Sequence, residues 1–332
     1  MNAHSKMYRT VLVLSACVLS TNTFAQEKRQ IAPNFPSRPI KMMTTVTAGG
    51  GLDFITRTVA TKMSERLPAP VIVENVSGAN GILAVNTTIN SVPDGYTILS
   101  TGGSTTINAV FKKFDKDVRT ALAPVALMST QPYLLYVPAA STIKTVQDVF
   151  AAARKNPGKL TYGSTGVGSV THLGSELIAF SGGVDLTHVP YKGSAPGMLD
   201  LTSGRIDLYI GSYIAGLPGV KNGKVRAVAV TALARIAEYP DVPTVAESGI
   251  PGYELVNSYT LYVNGATPAV VINALNKEVL VALTDPELRK AFAKDNSTPA
   301  QPRTPDELRK ILAADIDRWD AVVKRANIKL ED

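Results

Sequence analysis

Ile40-Lys41-Met42-Met43-Thr44-Thr45-Val46, then Thr47-Ala48-Gly49-Gly50-Gly51, then Leu52-Asp53 follow one another without interruption. The first run is apolar and reads as a strand, and Leu52, Ile55, Val59, Met63 and Leu67 then recur at helical spacing. A strand that passes through three glycines directly into a helix is the opening unit of an α/β sheet. Glycines let a ligand approach the backbone closely, and the first N–H groups of a helix lack intrahelical partners and carry partial positive charge. Thr47, Ala48, Gly49, Gly50, Gly51 and Asp53 therefore make a candidate anion pocket. No Gly-Lys-Ser/Thr follows, so a Walker loop and a nucleoside triphosphate are disfavoured. Asp53 equally suits an N-terminal helix cap, and a flexible turn is the other reading of the glycines.

Downstream, short β-rich runs alternate with amphipathic helical patterns. Strands are expected at 71–74 and 96–100, with a helix over 82–89 between them and Asp94-Gly95 turning the chain. A second series begins after Pro138: a helix carrying Val146, Val149, Phe150 and Ala153 on one face, then strands at 160–163, 186–189, 206–210 and 225–230. The C-terminal part is helical, with starts marked by Thr267-Pro268, Asp285-Pro286 and the capping box Thr304-Pro305-Asp306-Glu307. Leu312, Ile316, Trp319 and Val323 form one stripe there, which assigns Trp319 to the core. Two apolar extended runs, 131–137 and 255–263, bracket the middle series. A chain that leaves one lobe and returns must cross twice, so these runs are the expected hinge strands. The division is lobe I at 36–135 plus 257–332 and lobe II at 136–256, each a mixed, mostly parallel sheet flanked by helices.

The N-terminus reads as an export signal: Lys6 and Arg9 precede an apolar stretch, and Thr23-Phe24-Ala25 places cleavage after Ala25. Ser15, Ser20, Thr21 and Asn22 interrupt the stretch well short of the roughly 20 residues a transmembrane helix needs. Leu14-Ser15-Ala16-Cys17 offers an alternative lipoprotein start at Cys17, after a short apolar run. Residues 1–25 lie outside the fold on this reading. The net charge of +7 becomes +5 without Lys6 and Arg9 (7 − 2), with no basic block among the rest, which argues against nucleic acid. A mild positive field suits anionic ligands. Export places the mature chain in an oxidising compartment. Cys17 is the only cysteine, so no intrachain disulfide supports the mature fold.

Two further strand-to-helix loops share the chemistry of the first. Ser100-Thr101-Gly102-Gly103-Ser104 presents Thr101 and Ser104; Gly163-Ser164-Thr165-Gly166-Val167-Gly168-Ser169 presents Ser164, Thr165 and Ser169, with His172 one turn on. The latter lacks the third glycine of a dinucleotide fingerprint, so no nicotinamide cofactor is expected, nor any other. Gly211-Ser212 ends a further strand. Without cysteine and with only His172 and His188 beyond the signal, a His/Cys metal site is excluded. No Gly-x-Ser-x-Gly elbow is present, and Ser141-Thr142-Ile143-Lys144 lacks the partner motifs of penicillin-binding enzymes. His172 is the one candidate base for an exported hydrolase or lyase.

The pattern resembles the tripartite tricarboxylate transporter receptors, the Bug family of periplasmic binding proteins, over about residues 35–330. The resemblance is carried by Ala48-Gly49-Gly50-Gly51-Leu52-Asp53, Val73-Glu74-Asn75, Pro93-Asp94-Gly95-Tyr96-Thr97, Pro157-Gly158-Lys159-Leu160 and Gly166-Val167-Gly168-Ser169-Val170-Thr171-His172-Leu173. His188-Val189-Pro190-Tyr191-Lys192-Gly193-Ser194-Ala195-Pro196 and Asp241-Val242-Pro243-Thr244-Val245-Ala246-Glu247-Ser248-Gly249 complete it. It implies a two-lobed periplasmic-binding-protein fold of the Venus-flytrap, type II-like kind. It also implies delivery of solute to a membrane permease of one large and one small subunit. Loops 47–53, 101–104 and 164–169 would hold a ligand carboxylate. Where the family often carries an acid after Asp207, this chain has Gly211-Ser212, which disfavours amino-acid ligands. The expectation is a monomeric, non-enzymatic receptor for a small organic carboxylate; a ligand-sensing receptor for a signalling partner is the other non-enzymatic reading.

Overall fold

The computed structural model describes residues 35–49, 51–294, 296–325 and 328. The signal segment 1–25, with Cys17, and Gly50 lie outside the described residues. In chain order the elements are β1 (Ile40–Thr44), α1 (Gly51–Ser64), β2 (Val71–Asn75), a 3-10 turn (Ala79–Gly81), α2 (Ile82–Ile89), β3 (Thr97–Thr101), α3 (Ser104–Val110), α4 (Val118–Ala121) and β4 (Leu122–Pro138). Then come α5 (Val146–Lys155), β5 (Thr161–Ser164), α6 (Val170–Gly182), β6 (Thr187–Pro190), α7 (Ser194–Thr202), β7 (Leu208–Ser212), α8 (Tyr213–Lys221) and β8 (Val225–Val230). The chain ends with β9 (Val256–Asn264), α9 (Ala269–Ala282), α10 (Pro286–Lys294), β10 (Thr298–Pro299) and α11 (Pro305–Arg325). Among the described residues no helix is long and apolar enough to cross a membrane.

The strands follow the order β2-β1-β3-β9-β4-β7-β5-β6, with β8 and β10 also on β4. The 17-residue β4 belongs to two sheets. Its residues Leu122 to Pro132 pair with β9, and Tyr133 to Pro138 pair with β7 and β8. The chain changes sheet between Pro132 and Tyr133. It returns at Leu255, whose N–H donates to Thr231 O, and Val256, which pairs with Pro132.

β1, β2 and β3 run parallel to one another, β9 runs against β3, and β4 against β9. These three parallel strands therefore point the same way as β4, toward the second sheet. There β7 and β8 oppose β4, and β5 and β6 are parallel to β7. All four point back. The carboxyl ends of both sheets consequently face each other across the junction.

Each sheet buries both faces. Ile55, Val59 and Met63 of α1 pack with Ile40, Met42, Leu261 and Phe292 on one face of the first sheet, and Leu99, Tyr262, Leu312 and Ile316 fill the other. Val149, Phe150, Leu173 and Ile210 pack on one face of the second, and Tyr136, Met198 and Tyr209 on the other. The C-terminal stripe serves both sheets. Leu312 and Ile316 join the first sheet's core, whereas Trp319, 3% exposed, packs in the second sheet's cluster with Ile107 of α3. Its placement in the core agrees with the spacing of its helix. The three C-terminal start signals also hold: α9 and α10 begin beside Pro268 and at Pro286, and the Thr304 and Glu307 capping bonds are both made.

Because Trp319 ties α11 to the second sheet, Trp319→Ala should cost about 3–5 kcal/mol, the range for emptying a buried large aromatic site. Urea unfolding of the variant against the parent measures it; a loss under about 1 kcal/mol would mean the contact does not hold the halves together.

Candidate functional site

α1, α3, α6, α7 and α8 each start directly after a strand whose carboxyl end faces the junction, so five helix N-termini converge there. Their free N–H groups give the junction partial positive charge without a charged side chain.

On the first-sheet side, Thr47, Ala48 and Gly49 are exposed on the loop and Gly51 opens α1. Gly49 has φ +87, a conformation that a β-carbon disfavours. Asp53 is 3% exposed and faces inward. Its carboxylate accepts from Gly49 N at 3.0 Å, Arg57 Nε at 3.1 Å and Asn75 Nδ2 at 2.7 Å. Asn75 Nδ2 also donates to Val46 O. Burial works against ionisation of Asp53, but the bonds from Arg57, Gly49 and Asn75 outweigh it and hold the carboxyl below its ordinary value. Asp53 thus fixes the glycine loop. Thr101, at the end of β3, links Thr45 Oγ1 at 3.4 Å with Thr105 Oγ1 at 2.8 Å, and Ser104 starts α3, half-buried.

On the second-sheet side, Ser169 caps α6 by accepting from His172 N, and Thr165 N donates to Thr171 Oγ1 at 3.0 Å. Ser164 Oγ lies 2.7 Å from His188 Nε2 and 3.1 Å from Gly166 O. Gly168 N donates to His172 Nδ1 at 3.1 Å. The His172 and His188 rings stack 4.0 Å apart, with Tyr162 4.9 Å beyond His188. Burial pushes both histidines down to about 4, with the His188 charge adding to the effect at His172. Both imidazoles are neutral at pH 7, and His172 must carry its proton on Nε2, because Nδ1 is the acceptor. An acceptor nitrogen already engaged with the loop cannot act as a base without dismantling it. Gly211 is buried in β7; Ser212 caps α8 by accepting from Ala215 N at 3.3 Å.

The structure therefore gathers the three glycine loops and Ser212 at facing ends of two sheets. It also brings in residues absent from the sequence-based set: Asn80, Asn257 and His188. Asn257 Oδ1 accepts from Gly103 N at 3.1 Å, and Asn80 Nδ2 donates to Gly168 O at 3.2 Å across the junction. Gly78-Ala79-Asn80-Gly81 is itself a glycine loop between a strand and a helix, the same signal that identified the other three.

Residues 55–328 match the model of a family described as "Tripartite tricarboxylate transporter family receptor". Protein BugT of Bordetella pertussis is 30% identical over 303 residues, covering 90% of this chain and 93% of that one. The solved structure of R. palustris Rpa4515 with adipate is similar at TM-score 0.80 and 31% identity, over 89% of this chain and 99% of the other. MatC (Rpa3494) from Rhodopseudomonas palustris with bound malate is similar at TM-score 0.79 and 28% identity, over 87% and 100%.

The lowered histidine values set a sign for pH dependence. Below about 6.5 the unfolded chain takes up protons that the folded one refuses until about 4, so stability falls as pH drops across that window. Glu176, raised by burial though its bond from Tyr162 opposes this and Asp185 adds to it, works the other way. His172→Gln, compared with the parent in urea unfolding at several pH values, should flatten the decline between about pH 6.5 and 4. An equal slope in both proteins would mean that His172 titrates in the folded loop as it does in the unfolded chain.

Proposed function

Since the chain belongs to the tripartite tricarboxylate transporter receptor family, the Bug family of periplasmic solute-binding proteins, we propose that it captures a small organic carboxylate at the junction of its sheets. It then hands the solute to a membrane permease of one large and one small subunit. Proteins of this family are solute-binding proteins rather than enzymes. The observation that carries the ligand class is the convergence of helix N-termini and hydroxyls, with the one carboxylate in the glycine loop, Asp53, already neutralised by Arg57.

In this reading the carboxylate is received by backbone N–H groups and hydroxyls of Thr47, Ala48, Gly49, Gly50 and Gly51, Thr101 and Ser104, Ser164, Thr165 and Ser169, and Gly211 and Ser212. Asp53 and His172 act within the site by holding two of these loops. The lobes are 36–135 plus 257–332 and 136–256, turning about the hinge near 131–137 and 255–263; the sheet change at Pro132/Tyr133 and the return at Leu255/Val256 support that division. The mature protein works in the periplasm after cleavage following Ala25. The adipate in Rpa4515 and the malate in MatC, both dicarboxylates, support the choice of ligand.

A thermal-shift screen of adipate, malate and their monocarboxylate counterparts tests the proposal. A true ligand at 100 times its Kd should stabilise the fold by about 2.7 kcal/mol and be recovered unchanged. Conversion of a stabilising ligand, or no stabilisation by any carboxylate, would sink it.

A further inference from the structure

Asn80 has an unusual setting. It is a non-glycine residue at φ +52 in the turn between β2 and α2, a left-handed conformation that asparagine tolerates better than most residues. Its backbone carbonyl is pinned by Asn108 Nδ2 at 3.0 Å, from a side chain 3% exposed. With the backbone so fixed, the Asn80 amide reaches across the junction and donates to Gly168 O at 3.2 Å. Gly168 is held from its own side by the bond from its N–H to His172 Nδ1. Asn80 is an exposed residue, but the backbone on each side of the bond is held from its own half.

Its position makes it a tie between the two halves. Near the pivot, the halves meet at Gly103, where an added β-carbon would lie 2.9 Å from Val170 Cγ2, and through Trp319. The Asn80 bond joins the turn after β2, in the first sheet, to the loop after β5, in the second, so it is a further tie between the halves beside these two. Opening breaks it and leaves Gly168 O to water.

We propose that Asn80 is a closure-positioning residue: its bond to Gly168 latches the two lobes, favours the closed form and slows ligand escape without choosing among ligands. This rests on the receptor reading above and adds a residue that acts on the equilibrium between open and closed forms rather than on the ligand.

Asn80→Gly is the decisive variant, because glycine keeps the φ +52 backbone and removes only the amide. With adipate as probe in titration calorimetry and stopped-flow, affinity should fall about three- to tenfold, the worth of one hydrogen bond, chiefly through faster dissociation. Malate and any other carboxylate that binds should weaken by the same factor. Solution X-ray scattering of the ligand-free protein should show a larger radius of gyration than the parent, at an unchanged Tm. If Asn80→Gly lowers Tm, Asn80→Asp replaces it: an ionised carboxylate cannot donate to Gly168 O and should open the lobes equally. Unchanged affinity with unchanged scattering overturns the latch, as does a loss confined to one carboxylate, which would make Asn80 a ligand contact. If the parent binds no carboxylate, the receptor reading fails on its own, and the scattering comparison still decides whether Asn80 holds the lobes together.

Discussion

Everything in the site follows from one strand serving two sheets. β4 leaves the first sheet and enters the second without turning, so any strand parallel to it in one sheet and any strand antiparallel to it in the other must end at the same place. Had the second sheet's strands run with β4, its helix N-termini would lie at the far end of the molecule and the junction would be lined by helix C-termini, which repel anions. The direction of a few strands thus decides the sign of the potential at the junction, before any side chain is considered. The same strand is paired on both sides of the short stretch where the chain changes sheet, with β9 before it and with β7 and β8 after it.

The site's charge is accordingly built from fixed dipoles. Each helix end contributes about 0.3–1 kcal/mol toward an anion, and several acting together equal what a flexible lysine offers without the entropy of ordering one. For this to work the loops must be stiff, and the polar side chains nearby are used for that. Asp53 holds the first loop through Gly49 N, and its negative charge is offset by Arg57. His172 holds the third through Gly168 N, and burial keeps it neutral, so that it supplies an acceptor where a cation would supply only donors. Two residues that look like chemistry in the sequence, Asp53 and His172, are here bonded to the backbone of their own loops.

Much of the fold was legible because it is local. The β8 range agrees with its expected 225–230, and β3, β5 and β6 begin and end one residue later than expected. The helix starts at Pro286 and Thr304 were visible because caps act within four residues. The long first part of β4, Leu122 to Thr130, was not read as a strand. Its continuous burial from pairing with β9 removes the alternation that marks a half-exposed strand, and that pairing joins residues more than 120 positions apart. The dual role of α11 was hidden for a similar reason: a single apolar stripe shows that a helix is buried, not that its two ends pack on different sheets.

In the candidate site, glycine between a strand and a helix was the informative signal, since it reports where a backbone must be approachable. It located three loops that topology then brings to one junction, and it was equally present at residues 78–81. What the signal lacks is direction. Asp53, Asn80 and Ser169 are all short polar residues beside glycines, alike to a sequence reading. Yet Asp53 points inward to Gly49, Asn80 points across to the other sheet, and Ser169 caps its own helix. Those differences are set by backbone angles and by partners such as Asn75 and Asn108, 22 and 28 residues away, so they exist only once the sheet is assembled. A strand-to-helix glycine loop can therefore be recognised from composition alone, whereas the division of its polar residues between bonding their own loop, capping their own helix and reaching the opposite sheet belongs to the tertiary structure.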